Sequence, residues 1–125
     1  MKANLRGHSD FQKVYQKGRR FEGHFLTAFV LPNALATHRL GVTASRKTLG
    51  KAVQRNRAKR MLRETFRLSA ERLSDLQAKY DWVLNAKRTL SSTKVTVSLD
   101  EFERMMARVA REMAVETAVG RTSAG

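Results

Sequence analysis

The chain has 125 residues, with 25 Lys and Arg against 11 Asp and Glu, and no cysteine. That length builds one domain with a modest core, and the absent thiols exclude disulfides, thiolate metal sites and a thiol nucleophile. A net charge of +14 and a pI near 11.3 call for a polyanion, and nucleic acid supplies one through phosphate contacts. No apolar run nears the ~20 residues of a membrane span. The N-terminus lacks an apolar signal core. A cytoplasmic protein with no membrane partner is therefore expected.

In chain order, residues 9–17 read as a short helix. Ser9 is placed to cap it, Gln12 sits at the capping-box distance, and Gly18 ends it. Phe11, Val14 and Tyr15 share one face of that helix. Residues 21–31 are rich in aromatic and β-branched types and read as strand, with Gly23 marking a bulge or an early break. Alternation puts Phe25, Thr27, Phe29 and Leu31 on one face, and Leu26, Ala28 and Val30 on the other. Pro32 and Asn33 open a turn and loop. Residues 39–45 form a second strand, and "RKTLGK" a basic loop. Residues 51–70 form a long helix, 80–86 another strand, and 87–97 a loop. Ser98, with Glu101 completing a capping box, starts a last helix whose stripe is Phe102, Met105, Met106, Val109 and Met113. Residues 1–116 make the single domain, and 117–125 a flexible tail. The class is α+β, an α/β sandwich with helices packed on a small sheet.

The positive charge is clustered. Residues 39–67 hold ten bases and one acid, whereas 98–116 hold five acids and three bases. On a helical wheel Ala58, Met61, Leu62 and Leu68 form the buried half of the long helix, with Val53 at its margin. Arg55, Lys59, Arg63 and Arg67 line up at i, i+4, i+8 and i+12, with Asn56 and Arg60 beside them. Like charges at that spacing cost about 0.2–0.5 kcal/mol per pair, and Glu64 sits toward the opposite edge. A stripe of this kind tracks phosphates. Arg57 falls toward the apolar flank, where it can snorkel, pair with a carboxylate or reach nucleic acid. Asn56 can bind a base edge, orient a hydrated metal ion or hold a neighbouring Arg, and spacing does not choose. Arg19, Arg20, Arg46, Lys47 and Lys51 flank these elements in sequence.

Side-chain catalysis finds little support. His8, His24 and His38 are scattered, and there is no HExxH, no Gly-rich phosphate loop and no GxSxG. The acids are concentrated away from the basic segment, where a two-metal nuclease would need them. Phe11 and Tyr15 belong either to the core or to a stacking surface for unpaired bases.

The segment "RLGVTASRKTLGKAVQRNRAKRMLRETFR" (39–67), with its Arg55-Asn56-Arg57 triplet, resembles the protein subunit of bacterial ribonuclease P. "DFQKVYQKGRR", "HFLTAFVLPN" and "YDWVLNAKR" extend the likeness over most of the chain. The resemblance implies the order αβββαβα with a left-handed βαβ crossover, an exception to the usual hand. It also implies an accessory subunit of an endoribonuclease that removes the 5′ leader of precursor tRNA. The chemistry would lie in the RNA subunit, with magnesium held mainly by that RNA. The expected partners are ribonuclease P RNA and the precursor tRNA leader, with no obligate protein partner. The RNA-binding set becomes Arg46, Lys47, Arg55, Asn56, Arg57, Lys59, Arg60, Arg63 and Arg67, with Arg19 and Arg20. Phe11 and Tyr15 would line the leader cleft. The family often carries an aromatic in the cleft strand where this chain has Ala28, and the segment after the last strand, "AKRTLS", also departs from its pattern. Two other readings compete: a structural RNA-binding protein, and a nuclease in its own right.

Overall fold

The computed structural model describes the backbone of residues 3–5 and 7–124, and the side chains of 4, 5 and 7–113. The strands are β1 (Ala3–Asn4), β2 (Arg19–Glu22), β3 (Leu26–Pro32), β4 (Arg39–Thr43) and β5 (Tyr80–Ala86). The helices are α1 (Gly7–Lys17), α2 (Arg46–Leu49), α3 (Ala52–Leu68), α4 (Ala70–Ser74) and α5 (Val95–Ala124), with a 3-10 turn over Arg88–Ser92. The main elements thus follow the expected αβββαβα order. One sheet carries all five strands in the order β1-β4-β5-β3-β2. β5 lies parallel to β4 and antiparallel to β3, so β4–α3–β5 is the βαβ crossover unit.

The sheet has two unlike faces, because side chains alternate along each strand. Leu26, Ala28 and Val30 of β3, Trp82 and Leu84 of β5, and Phe21 of β2 are all buried in the larger core. They meet Ala58 and Leu62 of α3, and Phe102, Met105, Met106, Val109 and Met113 of α5. Trp82 and Phe102 pack edge-to-face with centroids 5.3 Å apart. The other face holds a smaller cluster, Val83 with Leu5 and Val14, against which Phe11, Phe29 and Leu31 pack.

Several expectations need correction. At Gly23 the early break holds rather than the bulge, so the 21–31 segment is two strands, and an added Cβ there would meet the Glu101 carboxylate at 2.4 Å. The helix expected from Ser9 begins at Gly7, so Ser9 is not its cap. The "RKTL" loop is a helical turn, capped by Ser45, whose Oγ accepts from the Thr48 N–H at 3.1 Å. The capping box at Ser98 does not exist. Helix α5 starts earlier, at Val95, and Ser98 is buried, its Oγ 2.7 Å from Thr65 Oγ1. Glu101 turns instead to the β2–β3 connection and accepts from the N–H groups of His24, Phe25 and Leu26 at 2.7, 2.9 and 3.1 Å. Val53 and Leu68 of α3 are exposed, so neither belongs to its buried half. The helical backbone of α5 runs to Ala124, and residue 125 lies outside the described residues.

One polar device ties the βαβ unit together. His38 Nδ1 accepts from Tyr80 N–H at 3.1 Å and from Trp82 Nε1–H at 3.0 Å, while Nε2 lies 3.0 Å from the Leu73 carbonyl. Nδ1 takes two donors, so the proton sits on Nε2 and the ring is neutral. Burial, with the charge of Lys79, pushes the His38 pKa below its ordinary 6.5. The unfolded chain therefore takes up this proton first, and stability is full above about 6.5 and falls as pH drops through that value. We expect His38→Gln to be less stable at pH 7.5 and to lose less further stability between pH 7 and 5. Parallel denaturant titrations measure both slopes, and equal pH dependence in the two proteins would refute the assignment.

Candidate nucleic-acid interface

Two surfaces emerge. The first is a cationic strip on α2 and α3. Between residues 46 and 63 lie eight cations, Arg46, Lys47, Lys51, Arg55, Arg57, Lys59, Arg60 and Arg63, and no acid. None of their side chains has a hydrogen-bond or ion-pair partner among the described residues. Arg55 carries a buried Nε with no acceptor. Elsewhere the pattern reverses. Arg39 grips Asp81 through two bonds of 2.8 and 2.7 Å, which raise its pKa further. Arg72, Arg104 and Arg108 pair with Glu103, Asp100 and Glu112. These eight cations lie together where carboxylates are missing, and the self-repulsion of the strip makes that costly without a polyanion.

Three predicted members differ from the rest. Arg67 is paired with Glu64, so Glu64 does relieve this end of the stripe and Arg67 is not an open cation. Arg19 turns to the α5 face, 2.7 Å from Glu112 and 5.7 Å from the Phe21 ring, and does not join the strip. Arg20 points to the opposite face, 2.5 Å from Glu22 and 6.0 Å from the Phe29 centroid, beside the second surface. Arg57 is exposed and neither snorkels into the core nor finds a carboxylate among the described residues. Asn56 is exposed in the strip.

The second surface is the groove between α1 and the sheet. Register aligns Glu22, Thr27, Asn85 and Thr43 in a polar row across β2, β3, β5 and β4. The next row, Arg20, Phe29, Val83 and Gly41, runs under α1. Phe11 and Tyr15 have separate positions there. The Phe11 ring lies on Gly41, where an added Cβ would meet it at 2.5 Å, and is mostly packing. Tyr15 is 37% exposed, stands edge-on to Phe29 at 4.8 Å and donates its hydroxyl to Asn85 Oδ1 at 2.9 Å. Thr43 Oγ1 donates to the same oxygen at 2.5 Å, which leaves the Asn85 amide N–H groups to the groove. His24, Thr48, Lys87 and Arg88 complete the rim. Lys87 bonds Glu22 and holds its carboxyl below the usual range. Arg88 Nε reaches the Thr48 carbonyl at 3.4 Å, joining the rim to α2 and so to the strip.

Ala28 is fully buried on the helix-covered face, so its small side chain removes nothing from the groove, where Phe29 supplies the aromatic ring. The groove residues missed from sequence are Thr27, Thr43, Thr48, Asn85 and Arg88. Alternation in "YDWVLNA" already separates Asp81, Val83 and Asn85 from Tyr80, Trp82 and Leu84 of the larger core, but which strand lies beside β5 is set by topology. No helix among the described residues is long and apolar enough to cross a membrane.

Comparison with known proteins gives the family and the fold. The family model for ribonuclease P matches residues 1–110. The chain is 36% identical over 90 residues to the ribonuclease P protein component of Clostridium botulinum (strain Loch Maree / Type A3), covering 71% of this chain and 78% of that one. It is 38% identical over 95 residues to the component of Methylococcus capsulatus, covering 76% and 71%. The RNase P protein from Thermotoga maritima superposes with a TM-score of 0.72 over 86% of this chain and 97% of that one, and its 24% identity speaks for the fold alone. A family match across most of the domain, on a chain whose fold and sequence both align with these components, means that the chain belongs to the ribonuclease P protein family.

Proposed function

We propose that this chain is the accessory subunit of an RNA-based endoribonuclease that removes the 5′ leader of precursor tRNA in the cytoplasm. The observation that carries the reading is the run of eight cations over residues 46–63 with no partner among the described residues. These side chains hold ribonuclease P RNA by neutralising its phosphates and releasing counterions. The groove between α1 and the sheet takes the single-stranded leader. There Tyr15 and Phe29 offer ring surface, the free amide of Asn85 offers donors, and Arg20 and Arg88 meet the backbone. Binding both RNAs on adjoining surfaces fixes the scissile bond relative to the catalytic RNA, which is a contribution of positioning.

The family implies magnesium. Among the described residues no three His, Asp or Glu side chains gather to hold a cation. These residues do not fit the ion, and the reading leaves it with the RNA.

The test mixes the purified chain with cognate ribonuclease P RNA and a precursor tRNA at low magnesium. Stimulated removal of the leader is expected. Failure to stimulate would sink the reading, and cleavage by the protein alone would favour a protein nuclease instead. A finer prediction separates the surfaces. Tyr15→Ala should weaken leader binding by about 5- to 150-fold, the range of one lost stacking partner, with ribonuclease P RNA binding unchanged. Filter binding with each RNA measures it. Phe11→Ala is the less clean variant, because that ring also packs on Gly41.

A further inference from the structure

A cavity of about 390 Å³ opens between the β1–β4 edge, the β3–β4 loop and the junction of α3 with α4. That size falls in the range of roughly 300–1,000 Å³ typical of small-molecule sites. The groove residues described above take no part in it. Its walls are Leu40 and Leu73, both buried, and the partly buried Phe66. His38 also lines it, but its two ring nitrogens are already engaged. The mouth carries Arg63 and Lys79, neither with a side-chain partner among the described residues, and the amide of Asn4. The occupant such a site suits has a flat apolar body, an edge able to hydrogen-bond and an anionic group about one side chain away. A nucleotide has all three.

Arg63 is also the last open cation of the strip. A strand whose phosphates track Arg55, Lys59 and Arg63 is delivered to this mouth. We infer that the cavity receives one unstacked nucleotide of the bound ribonuclease P RNA. Its base packs against Leu40, Phe66 and Leu73, its edge meets Asn4, and its phosphate lies between Arg63 and Lys79. The inference rests on the reading that the α2–α3 strip holds that RNA.

The probes are uridine and guanosine 5′-monophosphate, with ribose 5-phosphate as the arm that lacks a base. Side-chain NMR of the intact chain should show both mononucleotides shifting Leu40, Leu73 and Phe66 resonances, while ribose 5-phosphate leaves these three in place. Ala70→Phe and Ala36→Phe, on opposite walls, fill the cavity from positions that are exposed, so at least one is expected to melt as the wild type does. In the variant that does, the mononucleotide shifts should vanish. Its affinity for ribonuclease P RNA should fall about tenfold, a factor in the range of one lost base contact. Its slope of log affinity against log salt should be unchanged, because no phosphate contact is removed.

Absence of shifts at millimolar mononucleotide overturns the inference. So does a filled cavity with undiminished RNA affinity, which would mark a site for free nucleotides only. A wild-type chain that binds no ribonuclease P RNA overturns both this inference and the proposed function. Normal RNA binding with no response to filling overturns this one alone.

Discussion

Glu101→Ala is expected to lower the unfolding free energy by about 3 kcal/mol, because one buried carboxylate accepts from three backbone N–H groups. Those donors lie where the turn after β2 enters β3, and the substitution leaves the buried Leu26 N–H, and in part those of His24 and Phe25, with no acceptor. For a chain of this size the melting temperature should drop by roughly 10 °C. Glu101→Gln keeps one acceptor oxygen but turns an NH₂ group toward N–H donors, so it should fall between the two. Gly23 belongs to the same device, since a side chain there would displace the carboxylate. Thermal unfolding followed by circular dichroism decides the matter. A Glu101→Ala protein that melts within about 1 °C of wild type would show that the clamp contributes nothing.

The second large effect concerns the strip. Replacing Lys59, Arg60 and Arg63 together by Ala should reduce the salt slope of ribonuclease P RNA binding by roughly 2.7 units, at about 0.9 per phosphate contact. At about 0.15 M salt that amounts to roughly a hundredfold loss of affinity. The control is Arg72→Ala with Arg104→Ala, which removes two cations already satisfied by Glu103 and Asp100. Net charge falls there too, so a general charge effect would move both variants. If the control changes the slope as much per residue as the strip variant does, the division between paired and open cations is wrong. The triple variant should also be more stable than wild type at low ionic strength, because it removes like charges one helical turn apart.

Which parts of this molecule were legible in its sequence follows from the range of the forces involved. The strand at 80–86 was readable to the residue, since "YDWVLNA" carries β-forming types and its neighbours break the pattern. The cation row on α3 was readable because helical geometry relates residues within one segment. What failed involved partners far along the chain. Ser98 and Glu101 have the spacing of a capping box, yet Thr65 claims the first and the turn at 24–26 claims the second. Arg19 and Arg20 are adjacent and look alike, but strand alternation sends one to Glu112 and the other to the groove. Leu68 looks like core on a wheel, but lies at the end of α3 where the chain turns into α4 and leaves it exposed. The groove required the register of four strands at once, and local pattern holds no information about which strand neighbours which.

The sheet order has a consequence for how the molecule comes into being. β3 and β4 follow one another in the chain but are not neighbours, because β5 lies between them. The central strand is therefore the last one synthesised. Until residues 80–86 leave the ribosome, β4 has only the two-residue β1 to pair with, and β3 has only β2. α3, with its strip of cations, emerges earlier and has no completed sheet to lie on. The growing chain thus exposes a polycation before it has a fold, and one strand, arriving late, completes the floor of the groove and the seat of the helix in a single event.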